Sequence, residues 1–362
     1  MNDDVHFMRK ALALAERGRG TTSPNPLVGA LVVDRDGVIV GRGAHRVAGG
    51  PHAEVVALED AGARARGATL YCTLEPCSHT GRTGPCAPLV TSAGIARAVI
   101  AIEDPHPLVN GRGLRHLRDR GVDLTVGVER ERAAEQNAAF LTNVRAGRPF
   151  VILKAALSAD GKLSAAPGTR TRLTGPAANR RIHRQRAEVD AIAVGSGTML
   201  ADDPLLTARG AYRSRPLIRI IFDRRLRTPP TARIFTTVNA GPVIIVSTKV
   251  ACADKPDAVA ALTAAGARVL DIGDAGLASA LSVLKSYDVA SLVLEGGAAL
   301  HQAALDADVV DAVNLYIAPT LLGPRAVDWI GGGRLSWDTL QERRAVWLDD
   351  VVLVEGYVHR TR

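Results

Sequence analysis

Apolar residues recur along the 362-residue chain in two rhythms that take turns. Short apolar runs, typical of buried strands, alternate with stretches whose apolar positions return every three or four residues, as on one helix face. Residues 3–17 read as an amphipathic helix. LVGALVVDRDGVIVGRGAH (27–45) reads as a hairpin turning at Asp36-Gly37. A helix follows from about Glu54 to Ala65, with apolar residues at 55, 56, 58 and 61. Then come a strand in ATLYCTL (68–74), a helix after Cys86, a strand in ARAVIAI (96–102) and a helix in GLRHLRDRG (113–121). A strand in VDLTVGV (122–128) and a helix in ERAAEQNAAFLTNV (131–144) complete the series. This alternation predicts an α/β sheet covered on both faces.

Arg145-Ala-Gly-Arg-Pro149 interrupts the pattern with polar residues, Gly and Pro, and the alternation then starts afresh. Apolar strand runs are FVILKAAL (150–157), AIAVG (191–195), LIRIIF (217–222), VIIVS (243–247), RVLDI (268–272), SLVLEGG (291–297), AVNLYIAP (312–319) and DVVLVEGYV (350–358). Helices fit 176–188, 257–265, 277–287 and 299–306. Two α/β domains are expected, 1–147 and 148–362, with no internal repeat or low-complexity segment.

Composition narrows the possibilities. No apolar run approaches the ~20 residues of a membrane helix. The N-terminus opens on acidic residues and lacks the order of a secretory signal, so a cytoplasmic protein is expected. Four cysteines make no disulfide framework, and clustered ones then suggest metal or chemistry. The formal net charge is +8. Residues 1–147 carry 18 basic and 16 acidic side chains, and residues 148–362 carry 27 and 21. This modest excess, without a long basic run, favours an anionic small molecule such as a phosphate ester over nucleic acid.

The chemistry gathers in His52-Ala-Glu54, at a helix start, and in Pro76-Cys77 with Cys86 downstream. The order H-x-E then P-C then C is that of zinc nucleobase deaminases. One imidazole and two thiolates suit Zn²⁺ and leave a fourth position for water. A carboxylate two residues from the histidine is placed to move protons. The Cys77–Cys86 spacing, with eight residues between, is wider than the usual two to four. Gly81, Gly84 and Pro85 allow the intervening chain to return.

These stretches resemble the deaminase half of the bifunctional riboflavin-biosynthesis deaminase/reductase family, within the cytidine-deaminase-like superfamily. The resemblance runs through SPNPLVGA (23–30), GRGAHRVAGGPHAEVVAL (41–58), TLEPCSHTGRTGPC (73–86) and EDPHPLVNGRG (103–113). It implies that His52, Cys77 and Cys86 are zinc ligands, one ion per chain, and that Glu54 shuttles protons. It also implies substrate contacts from Asn25, His45, His79, Arg82 and Asp104, with His45, His79 and Arg82 meeting a ribose phosphate. The chain departs from the family in having His106 where Asn is usual and Val56 where a second histidine is frequent. Cys72 and Cys252 read as core thiols.

LKAALSADGKLS (153–164), GSGTMLADDPLLTAR (195–209) and LVLEGGAAL (292–300) resemble, in that order, the reductase half of the same family, so the resemblance spans nearly the whole chain. The implied fold is an N-terminal cytidine-deaminase-like three-layer domain followed by a dihydrofolate-reductase-like α/β domain. The implied cofactor is NADPH, contacted by Ala156, Arg172, Thr198, Asp202 and the segment Gly297, Ala298, Ala299, Leu300, His301, Gln302 and Ala303. Arg170, Arg186, Leu206, Arg209 and Glu295 are implied substrate contacts; Lys154 and Asp160 lie on the motif strand and turn. Arg170 and Arg172 stand where the family commonly has Ser and Trp. Residues 170–186 hold six arginines and no acid; of these, Arg180 and Arg181 read as a solvated helix face.

The expected enzyme deaminates a phosphorylated ribosylaminopyrimidine and then reduces its ribosyl group with NADPH. No nucleic-acid or membrane partner is expected, and the family resemblance implies a homo-oligomer. Two alternatives remain from the sequence: a nucleic-acid deaminase with an appended binding domain, and a zinc-stabilised binding protein without catalysis, which would not need Glu54.

Overall fold

A computed structural model describes residues 2–78, 84–273, 276–330 and 335–359. The chain divides into two compact units between Gly147 and Arg148.

The first unit runs α1 (Asn2–Ala15), β1 (Gly29–Val33), β2 (Ile39–Ala44), α2 (Ala53–Ala61), β3 (Thr69–Cys72), α3 (Cys86–Ser92), β4 (Arg97–Ile100), α4 (Arg112–Asp119), β5 (Asp123–Val126), α5 (Arg130–Gln136) and α6 (Ala138–Ala146). Its sheet has the order β2-β1-β3-β4-β5. The β1/β2 and β1/β3 pairs are antiparallel, and β3/β4 and β4/β5 are parallel. Glycines set the layers. A β-carbon on Gly29 would lie 2.0 Å from Ala11 O of α1, and one on Gly43 would lie 1.9 Å from Ala53 O of α2. Gly43 pairs with Ala30, the neighbour of Gly29, so the two glycines face opposite sides of the sheet. Helices α1 and α2 therefore cover opposite faces, giving three layers. The close approach at Gly41 and Gly43 seats the start of α2 against β2.

The expected helix over 131–144 is broken in two at Asn137, whose side chain is spent on a remote backbone instead of solvent. Asn137 Oδ1 accepts from Leu27 N at 2.8 Å and Nδ2 donates to Leu27 O at 3.0 Å. That competition with helical bonding is characteristic of Asn.

The second unit runs β6 (Phe150–Ser158), β7 (Lys162–Ser164), α7 (Pro176–Glu188), β8 (Ala191–Gly195), α8 (Ser196–Asp202), β9 (Ile218–Phe222), β10 (Val243–Ser247), α9 (Lys249–Asp254), α10 (Pro256–Ala264), β11 (Ala267–Asp271), α11 (Gly276–Lys285), β12 (Ser291–Leu294), α12 (Ala298–Asp306), β13 (Ala312–Ala318), β14 (Val327–Asp328), β15 (Gln341–Leu348) and β16 (Val351–Tyr357). A nine-stranded sheet has the order β11-β10-β9-β8-β12-β6-β13-β16-β15. It is parallel from β11 to β13, and β16 runs antiparallel to both its neighbours. The central strands β8 and β12 are buried throughout except for Gly195, which matches their unbroken apolar runs.

Strand β15 is absent from the hydrophobic pattern for a physical reason. It is the sheet edge, seven of its eight residues are exposed, and Glu342, Arg343 and Arg344 interrupt it. Charged edge strands of this kind protect against pairing with other chains. Helix α8 is also absent from the helices expected above, because Gly195 and Gly197 at its start weaken a helical pattern.

Candidate active sites

In the first unit, two helix starts and one strand end converge. His52 is the N-cap of α2, Glu54 lies in its first turn, and Cys86 opens α3. Cys77 follows the end of β3. The ligand atoms of His52, Cys77 and Cys86 all lie within 4.8 Å of one another. His52 Nδ1 is 3.5 Å from Cys77 Sγ and 3.3 Å from Cys86 Sγ. The Cys86 amide, at the head of α3, donates to Cys77 Sγ at 3.4 Å. A hydrogen bond from the Cys86 thiol, with further help from His52 and that amide, draws the Cys77 thiol far below its ordinary range. Cys86 is pushed the other way by the same pairing and by burial. Glu54 is buried beside them, and burial, with the charge at Cys77, raises its carboxyl to about 7.

His45 is buried, and burial lowers its pKa. Its Nδ1 donates to Pro51 O at 2.9 Å, so Nε2 accepts from Asn25 Nδ2 at 3.2 Å. Both ring nitrogens are thus engaged within the protein, and His45 links the Asn25 loop to the residue preceding His52. Asp104 is buried, and burial raises it to about 6; its Oδ1 accepts from His106 N at 2.8 Å. His79 and Arg82 lie outside the described residues. Cys72 is fully buried on β3, whereas Cys252 is only half-buried.

In the second unit, strands β8 and β12 are neighbours whose following chains leave in opposite directions across the sheet, towards β9 and β13. The crevice beyond such a reversal is where open α/β sheets take ligands. Thr198 and Asp202 come from α8, and Gly297 caps α12. A β-carbon on Gly296 would lie 2.6 Å from Leu300 Cδ2 and 3.2 Å from Gly195 N; one on Gly297 would lie 3.5 Å from Thr198 Oγ1. The missing side chain at Gly296 therefore lets the two turns approach, while Gly297 stands at ordinary contact distance from α8. Arg186 grips Glu295 with two bonds of 2.7 Å, and its Nη1 donates to Thr207 O at 3.0 Å. Lys154 Nζ stands 3.7 Å from Glu295 Oε2 and 5.6 Å from the Tyr316 ring centre. Burial pushes Glu295 up, but Arg186 and Lys154 overcome it and hold the carboxyl at about 2. Leu206 is buried with φ 51°, and Asp203 has φ 40°; left-handed backbone at non-glycine residues is a mark of strained functional segments. Arg209 is exposed, with its amide 3.1 Å from His183 Nδ1. Arg170 and Arg172 are exposed on the loop before α7. Arg170 counters part of the burial that raises the Asp202 carboxyl.

Other expected residues sit differently. His301 is fully buried; its Nε2 donates to Leu294 O at 3.2 Å and its Nδ1 accepts from Trp329 Nε1 at 2.9 Å. Its ring is hydrogen-bonded within the core. Gln302 bonds Asp306 within α12 at 3.0 Å. Ala156, Ala298 and Leu300 are half-buried, and Ala299 and Ala303 are exposed. Arg181 is paired with Glu355 at 3.1 Å and is half-buried, so it is not part of a solvated face; Arg180 is exposed.

Comparison with known proteins decides between the chemistries these sites permit. The model of the cytidine and deoxycytidylate deaminase zinc-binding region matches residues 1–102, and the RibD C-terminal domain matches residues 149–349. The riboflavin biosynthesis protein RibD of Aquifex aeolicus is 40% identical over 320 residues, covering 88% of each chain. RibD of Escherichia coli is 40% identical over 335 residues, covering 89% of each. The structure of Acinetobacter baumannii RibD matches with a TM-score of 0.86 at 35% identity, over 98% of this chain and 99% of that one. The Thermotoga maritima diaminohydroxyphosphoribosylaminopyrimidine deaminase/5-amino-6-(5-phosphoribosylamino)uracil reductase matches with a TM-score of 0.83 at 33% identity, over 98% and 99%. The chain belongs to the RibD family. It is a bifunctional deaminase/reductase of riboflavin biosynthesis, with a deaminase-type zinc-binding region ahead of a reductase domain.

Three residues of this RibD-family chain matter to its sites without standing among the expected contacts. Glu75, within TLEPC, accepts four backbone N–H groups from the segment 104–114. Asn137 pins Leu27, two residues beyond Asn25. Its one sequence signal is an Asn inside an otherwise helical run. Asp160 ties its turn to the segment beyond β13, accepting from Ser158 Oγ, Leu322 N and Gly323 N at 2.5, 3.1 and 2.8 Å, contacts that hold its carboxyl at about 2.

Proposed function

We propose that the first unit hydrolyses an exocyclic amine from 2,5-diamino-6-ribosylamino-4(3H)-pyrimidinone 5′-phosphate. The second then reduces the ribosyl group to ribityl with NADPH. The name of the Thermotoga maritima relative carries this substrate class, and the constellation of half-buried His52 and Cys77 with buried Cys86 and Glu54 carries the reading. Its donor chemistry fits zinc: one imidazole nitrogen and two sulfurs, with N–S separations of 3.3 and 3.5 Å. Bonds of about 2.0 and 2.3 Å at tetrahedral angles require about 3.5 Å. His52 Nδ1, Cys77 Sγ and Cys86 Sγ would hold the ion. A bound zinc acts as a Lewis acid and lets water attack near neutral pH.

The protein supplies the remaining parts. Glu54, buried beside the sulfurs, takes one proton of the attacking water and delivers it to the departing amine while the second passes to the adjacent ring nitrogen, so ammonia leaves as the ring carbonyl forms. Burial keeps bulk water from competing for that proton. Asn25, fixed by His45, offers its amide oxygen to a pyrimidine N–H. Asp104 serves the ribose hydroxyls, and His79 and Arg82 serve the phosphate.

In the second unit, Thr198, Asp202, Ala156, Arg172 and the backbone of Gly297–Ala303 would hold NADPH. The glycine cradle between α8 and α12 fits a phosphate approaching backbone amides. The cofactor supplies the hydride. Arg186 and Glu295, locked by two 2.7 Å bonds, form a rigid wall for the substrate with Leu206 and Arg209 beside it. Arg170 approaches the same substrate from the loop before α7.

Replacing Glu54 with Gln tests the reading. The variant is expected to keep about one zinc per chain and to lose ammonia release by at least ~10²-fold, the scale of a general acid–base group. NADPH oxidation on supplied deaminated intermediate should continue. Undiminished ammonia release would defeat the proposed mechanism.

A further inference from the structure

We propose that Glu75 is a positioning residue for the deaminase site, holding the loop that carries Asp104 against the segment that carries Cys77. Glu75 is 3% exposed and lies two residues before Cys77. Its Oε2 accepts from Asp104 N at 3.2 Å and Gly111 N at 3.0 Å. Its Oε1 accepts from Gly113 N at 2.8 Å and Leu114 N at 3.2 Å. One carboxylate thereby grips both ends of the loop 104–111 and the first turn of α4. A carboxylate offers about four lone-pair positions, and four N–H groups use them.

Two further contacts give this clasp its geometry. The Glu75 amide donates to Ile102 O at 2.9 Å, which holds the ends of β3 and β4 together. A β-carbon on Gly113 would lie only 2.0 Å from Pro76 O, so α4 sits directly on the peptide joining Pro76 to Cys77. The N-cap of α4 is Gly111, which has no side chain to cap the helix. Glu75 supplies that acceptor from the segment after β3, remote in sequence, and its charge complements the helix dipole. Burying a carboxylate is costly unless every oxygen is satisfied. Here the satisfaction comes from the loop that carries Asp104 and from the first turn of α4 that follows it.

The proposal rests on reading the first unit as a deaminase. Its test uses the full-length, zinc-loaded protein with Glu75→Gln and Glu75→Asp. Gln keeps the size but sets an NH₂ against N–H donors; Asp restores the charge with shorter reach. For Glu75→Gln we expect zinc content and NADPH oxidation on supplied intermediate to match wild type. KM for ammonia release should rise at least about tenfold while kcat falls less than about threefold, since Asp104 is proposed to bind the ribose and not to touch the reacting carbon. The amides of Asp104, Gly111, Gly113 and Leu114 should exchange with deuterium faster than in wild type, and Glu75→Asp should recover part of both changes. An unchanged KM, a loss confined to kcat, or loss of zinc or of the folded first unit in both variants would each overturn the proposal. Wild-type protein that releases no ammonia would defeat the deaminase reading instead, and the exchange rates would still decide whether Glu75 clasps the loop.

Discussion

The two units differ in how far apart in sequence their working residues lie. In the first, the proposed reacting groups come from residues 52–54, 77 and 86, and a set of donor atoms packs within 4.8 Å. In the second, the groups proposed for the crevice and those packed with them come from Lys154 on β6, Arg186 on α7, Thr198 and Asp202 on α8, and Glu295 to Ala303 in the β12–α12 turn and the start of α12. The reason is chemical. Hydrolysis of a ring amine needs metal donors and a proton carrier at the reacting atom, so residue type and spacing are tightly prescribed. Hydride transfer needs a cofactor and a sugar held face to face, and that is a matter of shape, backbone and charge. The first kind of site leaves a motif, whereas the second leaves a topology.

The sharpest way to separate the units is Cys86→Ser. It should abolish stoichiometric zinc, measured by elemental analysis, and lower ammonia release by at least ~10³-fold, because an incomplete donor set no longer holds the ion. NADPH oxidation on supplied intermediate should stay within about twofold; a comparable loss there would show that the sites are not independent.

Glu295→Gln probes the other side. It leaves Arg186 and Lys154 buried without their counter-charge, and the broken ion group should cost about 3–5 kcal/mol in stability of the second unit. The same carboxylate predicts a pH dependence. Its folded pKa is depressed, from 4.5 to about 2. The stability it contributes is present in full above about pH 4.5 and is lost as the pH falls towards 2. Urea unfolding between pH 5 and 2 should show that slope in wild type and not in Glu295→Gln. Identical slopes would remove Glu295 from the account.

A smaller effect is expected from Gly43→Ala. The added carbon would meet Ala53 O at 1.9 Å, so α2 must shift away from β2. Overpacking of this kind costs about 1–3 kcal/mol. The first unit's melting temperature and ammonia release should fall together while the reductase reaction is unaffected. If ammonia release held steady, the seating of α2 on β2 would not matter to the His52–Glu54 geometry.

Much of this protein is legible in the order of its amino acids alone. The alternation of apolar runs locates most strands and helices, because a strand buried on both faces and an amphipathic helix must each write its period into the sequence. His52, Glu54, Cys77 and Cys86 stand out because metal and proton chemistry admit few residue types. What escapes is whatever depends on partners remote in sequence. Strand β15 leaves no alternation because its faces meet solvent. Asn137 breaks a helix for the sake of Leu27, 110 residues away. His45 and His301 are chemically versatile, and only their neighbours show that both ring nitrogens of each are spent inside the protein. Glu75 stands in the most recognisable motif of the chain, yet its four amide partners belong to a loop and helix start 29 to 39 residues downstream. Residue type states what a side chain is able to do; hydrogen-bond saturation and burial, set only when distant segments pack, decide which of those things it does.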